Sequence, residues 1–292
     1  MSNANPLVSI IVPTFNRAAQ ISLFVKSVAR QGYENIELII VDDGSQDETK
    51  KVIEACAKEN PNLIIRLISQ KHGGMTRARN NGFLNSRGDY CWFLDSDMEL
   101  PIGKEVEECI RKCVDEHFDA LMIPERSQGK GFWARCRGFE KIINDDDLNK
   151  NAVRFIRREV LDQVGLYDPN LTAAEDFEFH NRVKKAGFRF ALIKNIFIYH
   201  HEVDSIKKMI KKAFGYGKTM SLYIKKRPKE AFEQFFIIRP AYFKNWKLFI
   251  KDPISGFGLL TMKFVQYSAA AAGIIVYLGR KIPRPQKIKS SN

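Results

Sequence analysis

The sequence predicts an α/β fold with a mostly parallel sheet flanked by helices. Three observations predict it. Short apolar runs alternate with stretches of helical periodicity through the first half of the chain. Each run ends in a cluster of acids, glycines or arginine, as strands do at the carboxyl edge of an open α/β sheet. The 292 residues are 45% hydrophobic and 28% charged, enough apolar material for one or two globular domains with a sizeable core.

The elements follow in order. Residues 8–12 (VSIIV) read as a buried strand and 18–31 as a helix. Residues 36–41 (IELIIV) are a second strand, followed by a helix over 47–59, for which Asp47 is a plausible cap. A third strand at 63–68 precedes a helix at 76–85. A fourth at 90–94 (YCWFL) precedes a helix at 104–116, and 120–123 is a fifth strand. Strands of this length joined by helices imply βαβ units. The loops after the first four strands read PTFNR (13–17), DDGS (42–45), HGG (72–74) leading to Arg77, and DSD (95–97). Neither G-x-x-x-x-G-K-[ST] nor a G-x-G-x-x-G after the first strand is present, which argues against an ordinary NTPase or dehydrogenase.

Charge and cysteine content divide the chain. Residues 1–202 carry 28 Lys+Arg and 30 Asp+Glu, a net of −2, whereas residues 203–292 carry 19 and 4, a net of +15. A near-neutral body with a basic tail points to an anionic partner. The five cysteines, Cys56, Cys91, Cys109, Cys113 and Cys136, form no C-x-x-C pair, so neither a zinc site nor a disulfide framework is expected, and a reducing setting fits. The first residues, MSNANPLVSIIVP, lack the pattern of a signal peptide.

PTFNR, VDDGSQDET (41–49), HGGMTRARNNG (72–82) and FLDSD (93–97) resemble, in order and spacing, the nucleotide-sugar domain of family 2 glycosyltransferases. AAEDFEFHNRVKKAG (173–187) resembles that family's acceptor-side E-D motif with its downstream Arg. The likeness covers roughly residues 6–202. It implies a GT-A fold, Rossmann-like, for a catalytic domain over 1–202; the charge division and the helical and apolar patterns mark 203–292 as a basic, helical, membrane-associating region. It also implies an inverting sugar transfer from a nucleotide-sugar donor to a glycan or lipid-linked acceptor.

Each candidate residue has a functional and a structural reading. Asp95 and Asp97, one residue apart after a strand, can share Mg²⁺ or Mn²⁺ with substrate phosphates; the bland reading is a polar turn. By resemblance, Asp43 lies near the donor base, Asp42 helps to hold the ribose, and Pro13, Thr14 and Asn16 wrap both. Arg77, with Arg79 as the alternative, is the candidate for the diphosphate, the alternative being a solvated helix face. Gly73 and Gly74 permit close backbone approach. By resemblance Asp176 is the general base and Glu175 positions the acceptor, although acids in a first helical turn are also favoured by the dipole. Arg182, about two turns on, is placed to reach the phosphates or these acids. His200 is preferred to His201 as a neighbour of the metal or diphosphate, against a surface histidine. Trp133 reads either as an acceptor-side aromatic or as core.

The tail begins with a basic amphipathic helix at 205–226, suited either to a membrane surface or to packing on the catalytic domain. Residues 254–278 contain Lys263 as their only charge and exceed the roughly 20 residues that span a bilayer. The terminal GRKIPRPQKIK opposes a simple span with the catalytic domain inside, because its positive charge would lie outside. The expected place is therefore the cytoplasmic face of the cell membrane, by an in-plane, re-entrant or single-span segment. Three competing functions remain. A sugar-1-phosphate nucleotidyltransferase would need a glycine-rich loop where PTFNR stands. A nucleic-acid binder would pair its lysines with an aromatic signature or zinc finger, and neither is present. An inactive sugar-nucleotide-binding module would not need the complete acidic set.

Overall fold

In a computed structural model, which describes residues 5–148, 151–201, 205–235 and 239–281, the first apolar run forms β1 (Val8–Thr14), buried along its whole length. A strand covered on both faces must be apolar on both. The chain continues through α1 (Ala18–Ala29), β2 (Ile36–Asp42), α2 (Thr49–Glu59), β3 (Ile64–Ser69), α3 (Met75–Leu84), β4 (Tyr90–Phe93), β5 (Met98–Glu99), α4 (Glu105–Asp115), β6 (Ala120–Met122), β7 (Glu125–Gln128) and α5 (Phe132–Ile143). Then come β8 (Phe155–Arg157), α6 (Arg158–Val164), α7 (Glu175–Lys185), β9 (Phe190–Leu192), β10 (Ile198–His201), α8 (Ile206–Lys226), α9 (Pro228–Phe235), α10 (Pro240–Lys244), α11 (Trp246–Lys251) and α12 (Pro253–Lys281).

Seven strands form the main sheet in the order β3-β2-β1-β4-β8-β6-β9. β1 to β4 run parallel, as the alternation of apolar runs and helices predicts, and β6 is parallel to β9. β8 is inserted antiparallel between β4 and β6. Its apolar run is only Phe155-Ile156 between Arg154 and Arg157, too short to read as a strand from sequence. Register aligns Thr14 with Asp42 and Asp42 with Ser69, so β1, β2 and β3 end level at one edge. A small sheet, β5-β10-β7, lies beside that edge, with β10 antiparallel to β5 and parallel to β7.

Alternating side chains feed two cores. Val8, Ile10 and Val12 of β1 pack with Phe24 of α1, Ile53 of α2 and Cys109 of α4. Ile11 packs on the opposite face with Ala78 and Phe83 of α3, Leu161 of α6 and Phe179 of α7. Helix α3 approaches β1 closely because Gly82 has no side chain; a Cβ there would fall 2.4 Å from Ile11 Cγ2. All five cysteines are free and buried. Asp47 serves the start of α2 from one residue before the cap position, accepting the Thr49 N–H at 3.0 Å.

The boundary expected at 202/203 and the terminal basic segment 282–292 lie outside the described residues. Helix α12 packs along α8 and against α5. Lys263, the single charge expected in the apolar stretch, points inward to the Glu140 carboxylate of α5; the two side chains are 12% and 13% exposed. Burial would favour the neutral acid, but Lys263 and Arg137 outweigh it and hold Glu140 at about 2.

An unfolded glutamate titrates near 4.3, so the stability from this depressed carboxyl is complete above that pH and is lost as pH falls through about 2. Replacing Lys263 by Met removes the largest cationic partner of a buried carboxylate, leaving Arg137 beside it, and is expected to cost about 3 kcal/mol at pH 7. Urea titrations at pH 7 and pH 3 check this. The gap between wild type and Lys263→Met should narrow at the lower pH, and an equal gap at both would refute the assignment.

Candidate active site

The carboxyl ends of β1, β2 and β4, the glycine loop before α3 and the start of α7 surround a cavity of about 670 Å³. On one side, Pro13 and Thr14 end β1, and Asp43 follows β2. Both Asp43 oxygens are engaged by the next loop: Gly73 N–H and Gln70 Nε2 donate to Oδ1 at 2.8 and 2.7 Å, and Gly74 N–H donates to Oδ2 at 2.8 Å. Gly74 makes this possible at φ 94°, where most side chains would be strained. His72, also in this loop, places its ring against Phe15 at 4.4 Å between centroids, and both rings line the cavity.

Asp42 and Asn16 act one step behind. Asp42, buried, accepts the Ser45 N–H at 3.1 Å. Asn16, at φ 52°, donates its N–H to Ser45 Oγ and accepts the Gln46 N–H at 2.8 Å. These two residues shape the β1 and β2 loops rather than line the cavity. The arginines divide in the same way. Arg77 is exposed on α3 and outside the cavity lining, whereas Arg79, the alternative, is buried within it.

Arg79 joins the two halves of the site. Its Nη2 donates to Asp95 Oδ1 at 2.6 Å and its Nη1 to Glu175 Oε1 at 2.8 Å. Arg154 adds contacts at 3.8 Å to Asp95 and 3.1 Å to Glu125. Burial would raise the Asp95 carboxyl, but Arg79, Arg154 and His200 outweigh it and hold it at about 2. Burial also opposes ionisation of Asp97, yet the bond and charge of His200 lower its pKa. Glu175 moves the other way: burial and the neighbouring Asp176 raise it against the pull of Arg79. Asp176 lines the cavity next to it, bonded at Oδ1 by its neighbour's Phe177 N–H and, among the described residues, in no ion pair.

The two histidines part company on β10, where successive side chains face opposite sides. His200 lines the cavity with Nε2 3.4 Å from Asp97 Oδ1 and Nδ1 3.1 Å from Glu125 Oε2. Burial would lower its pKa, but these two carboxylates push it up to about 9. His201 turns away to Glu99, 3.1 Å from Nε2. Arg182 reaches neither phosphate site nor acids: it donates to Glu178 at 2.9 Å and to the carbonyls of Val164, Gly165 and Leu166, so it pins the loop before α7. Trp133 packs with Phe139, Leu259 and Met262 in the helical core and is absent from the cavity lining.

Several lining residues escaped the sequence reading. Glu125 follows the fifth apolar run, where the rule applied to the other four strands would have found it. Arg154 precedes a strand that was itself unrecognised. Lys212, Tyr216 and Met220 lie at i, i+4 and i+8 on α8, one helical stripe facing the cavity. Lys212 sits 5.6 Å from the Tyr216 ring centroid and, among the described residues, pairs with no carboxylate. The tail thus contributes a wall of the site.

Asp95, Asp97 and His200 are the lining residues whose chemistry could serve a hard divalent cation. Asp97 and the His200 ring nitrogen lie 3.4 Å apart, Asp95 lines the same cavity, and Glu125 holds the far nitrogen of His200. Among the described residues no group of three His, Cys, Asp or Glu side chains is arranged to hold a metal ion. Such a sparse set fits Mg²⁺ or Mn²⁺, which draw remaining ligands from water and substrate phosphates.

Comparison with known proteins gives this geometry a family. The uncharacterized glycosyltransferase EpsJ of Bacillus subtilis is 42% identical over 221 residues, covering 70% of this chain and 64% of that protein. A Methanococcus voltae enzyme, dolichyl N-acetyl-alpha-D-glucosaminyl phosphate 3-beta-D-2,3-diacetamido-2,3-dideoxy-beta-D-glucuronosyltransferase, is 25% identical over 75% of this chain and 74% of its own. The mannosyltransferase PcManGT from Pyrobaculum calidifontis, solved in complex with GDP-Man and Mn²⁺, shares the GT-A fold with a TM-score of 0.72 at 17% identity, over 96% of this chain and 89% of that one. The model of the family named glycosyl transferase family 2 matches residues 9–168, more than half of the sequence, and the chain belongs to that family of glycosyltransferases.

Proposed function

We propose that this chain transfers a sugar from a nucleotide-sugar donor to a hydroxyl of a glycan or lipid-linked acceptor, with inversion at the anomeric carbon and the help of Mg²⁺ or Mn²⁺. The observation that carries this is a single cavity lined by Thr14 and Asp43 on one side, Asp95, Asp97 and His200 at its floor, and Glu175 and Asp176 on the other. The residues that would bind the donor, hold the cation and take the acceptor proton then line one cavity. PcManGT, of the same fold, was solved with GDP-Man, which supports a nucleotide-sugar donor here.

Asp176 is the general base. Glu175 is less suited because its carboxylate is held by Arg79, whereas Asp176 keeps an oxygen for the acceptor proton. The acceptor hydroxyl loses its proton to Asp176 as its oxygen attacks the anomeric carbon, and the bond to the nucleotide diphosphate breaks on the opposite face. Asp95, Asp97 and His200 hold the cation, which offsets charge on the leaving diphosphate when bound. Arg79 keeps Asp95 ionised for that role, and Lys212 is available to the diphosphate from α8. Asp42, Asn16 and Pro13 keep the nucleoside end in shape. Arg182, placed away from the cavity, pins the loop before α7 instead, and Arg77 lies exposed outside the cavity.

The enzyme works at the cytoplasmic face of the cell membrane. The −2/+15 division of charge supports an anionic surface as partner. Helix α12 offers a 27-residue segment, Pro253–Gly279, long and apolar enough to cross a bilayer by length and composition. The dolichyl-linked sugar phosphate named for the M. voltae relative supports a lipid-linked acceptor. The apolar helix beside the lysines favours lipid over nucleic acid.

Asp176→Asn is expected to lower turnover by about 10²–10⁴-fold, with donor KM little changed, in assays with a panel of nucleotide sugars. Normal turnover in that variant, with loss in Glu175→Gln, would exchange the two roles, and a product that keeps the donor's anomeric configuration would overturn inversion. Asp97→Ala is expected to reduce transfer severely while circular dichroism stays unchanged. Full activity of wild type in excess chelator would refute the cation.

A further inference from the structure

Helix α12 is apolar enough to span a bilayer, yet its packing points to a different arrangement. We infer that α12 lies lengthwise in the interface of an anionic bilayer, with its outer stripe inserted and its inner face on the catalytic domain. The inference rests on the membrane association proposed above and fixes its geometry.

The pattern of exposure runs the full length of the helix. Phe257, Leu260, Phe264, Ile275 and Leu278 are exposed, and they follow the three-and-four spacing of one helical face. Phe257 and Phe264 are 75% and 73% exposed and Ile275 69%. The opposite face, through Ser255, Leu259, Met262, Ala270 and Gly273, is buried. Helix α11 continues the outer surface with Trp246 and Ile250 exposed beside Lys247 and Lys251, the mixture of aromatic and cationic side chains that suits a headgroup boundary.

The buried face cannot be released cheaply. A Cβ at Gly217 of α8 would fall 2.1 Å from the Ala270 carbonyl oxygen, and one at Gly273 would fall 2.2 Å from that of Phe214. The two backbones therefore touch. Lys263 is tied to Glu140, and Arg135 to Asp252 at 2.9 Å. A span would have to carry α8 into hydrocarbon, with Lys207, Lys208 and Lys211 exposed on it, or strip α12 from it and expose Lys263 at mid-membrane. Each charge at the bilayer centre costs at least about 2.5 kcal/mol. Lying flat requires neither.

The five native cysteines are buried, so single introduced cysteines can be labelled selectively. Phe257→Cys, Phe264→Cys and Ile275→Cys in the full chain, spin-labelled and mixed with vesicles of phosphatidylcholine and phosphatidylserine at about two to one, report depth by collision with oxygen and with a water-soluble nickel complex. All three labels should lie at one shallow depth, about 5–10 Å below the headgroups. Depths that step through the bilayer, over the roughly 27 Å of helix between positions 257 and 275, would overturn the flat arrangement and leave membrane association standing. Labels that stay in water would also overturn it. Vesicle pelleting at low and high salt would then separate attachment by charge alone from no attachment. Labels shielded without vesicles, in a dimer whose formation depends on concentration, would assign the face to a second copy of the chain and overturn the inference.

Discussion

The arrangement of the site depends on one guanidinium. Arg79 is almost wholly buried and divides its two terminal nitrogens between Asp95 at the end of β4 and Glu175 at the start of α7. Burial pushes both carboxyls toward the neutral form; Arg79 opposes this at each and, with Arg154 and His200, prevails at Asp95. Arg79 in turn is held by both, which keep its own pKa raised against burial. Arginine suits this position because it is charged at every accessible pH and its planar fork can serve two acids in fixed directions. The consequence is mechanical as well as electrostatic. The β4 loop that carries Asp97 and the helix that carries Asp176 are locked at one separation, and α3 can hold Arg79 there because Gly82 lets it settle on Ile11.

The same coupling recurs in the half of the site built from the β1 and β2 loops. Asp43 commits both oxygens to the glycine loop that leads into α3, so the β2 loop and the loop before Arg79 move as one unit. Asn16 and Asp42 tie the β1 and β2 loops together through Ser45 and Gln46. Residues that resemble ligand contacts in sequence therefore include some whose observed partners are other loops. A cavity for a charged, extended donor needs such a frame, since loops left free would have to be ordered again at every binding event.

How much of this was legible in the sequence follows from the range of each signal. The parallel strands β1 to β4 were readable because burial on both faces makes a strand uniformly apolar, and because their loops are where α/β sheets place chemistry. The antiparallel β8 was not, because two apolar residues between arginines carry no period. Asp95, Asp97, Glu175 and Asp176 stand in local motifs, and the structure brings them to one cavity. The choice between Arg77 and Arg79 was beyond the motif: both lie in TRARN, and only the facing of α3 decides which is buried. Arg182 shows the converse, where two turns along a helix do not amount to reach; its fork instead closes on three carbonyls before α7. Lys212 and Tyr216 were hidden by composition, since a lysine-rich helix reads as a surface whichever stripe it turns inward.

That last helix connects the chemistry to the tail. One stripe of α8, Lys212, Tyr216 and Met220, faces the cavity, while Phe214 and Gly217 press on α12. An α-helix with its side chains is about 10–12 Å across, so the cavity wall and the apolar outer stripe of α12 are separated by roughly two helix diameters. A tail that served only as a tether would need no such packing, and a Gly at 217 would then weaken the helix with nothing to offset it. Here the close crossing makes distance to the surface a fixed quantity. Under the membrane arrangement proposed above, the height of Asp176 over the surface would be set by helix packing rather than by the reach of a flexible tether.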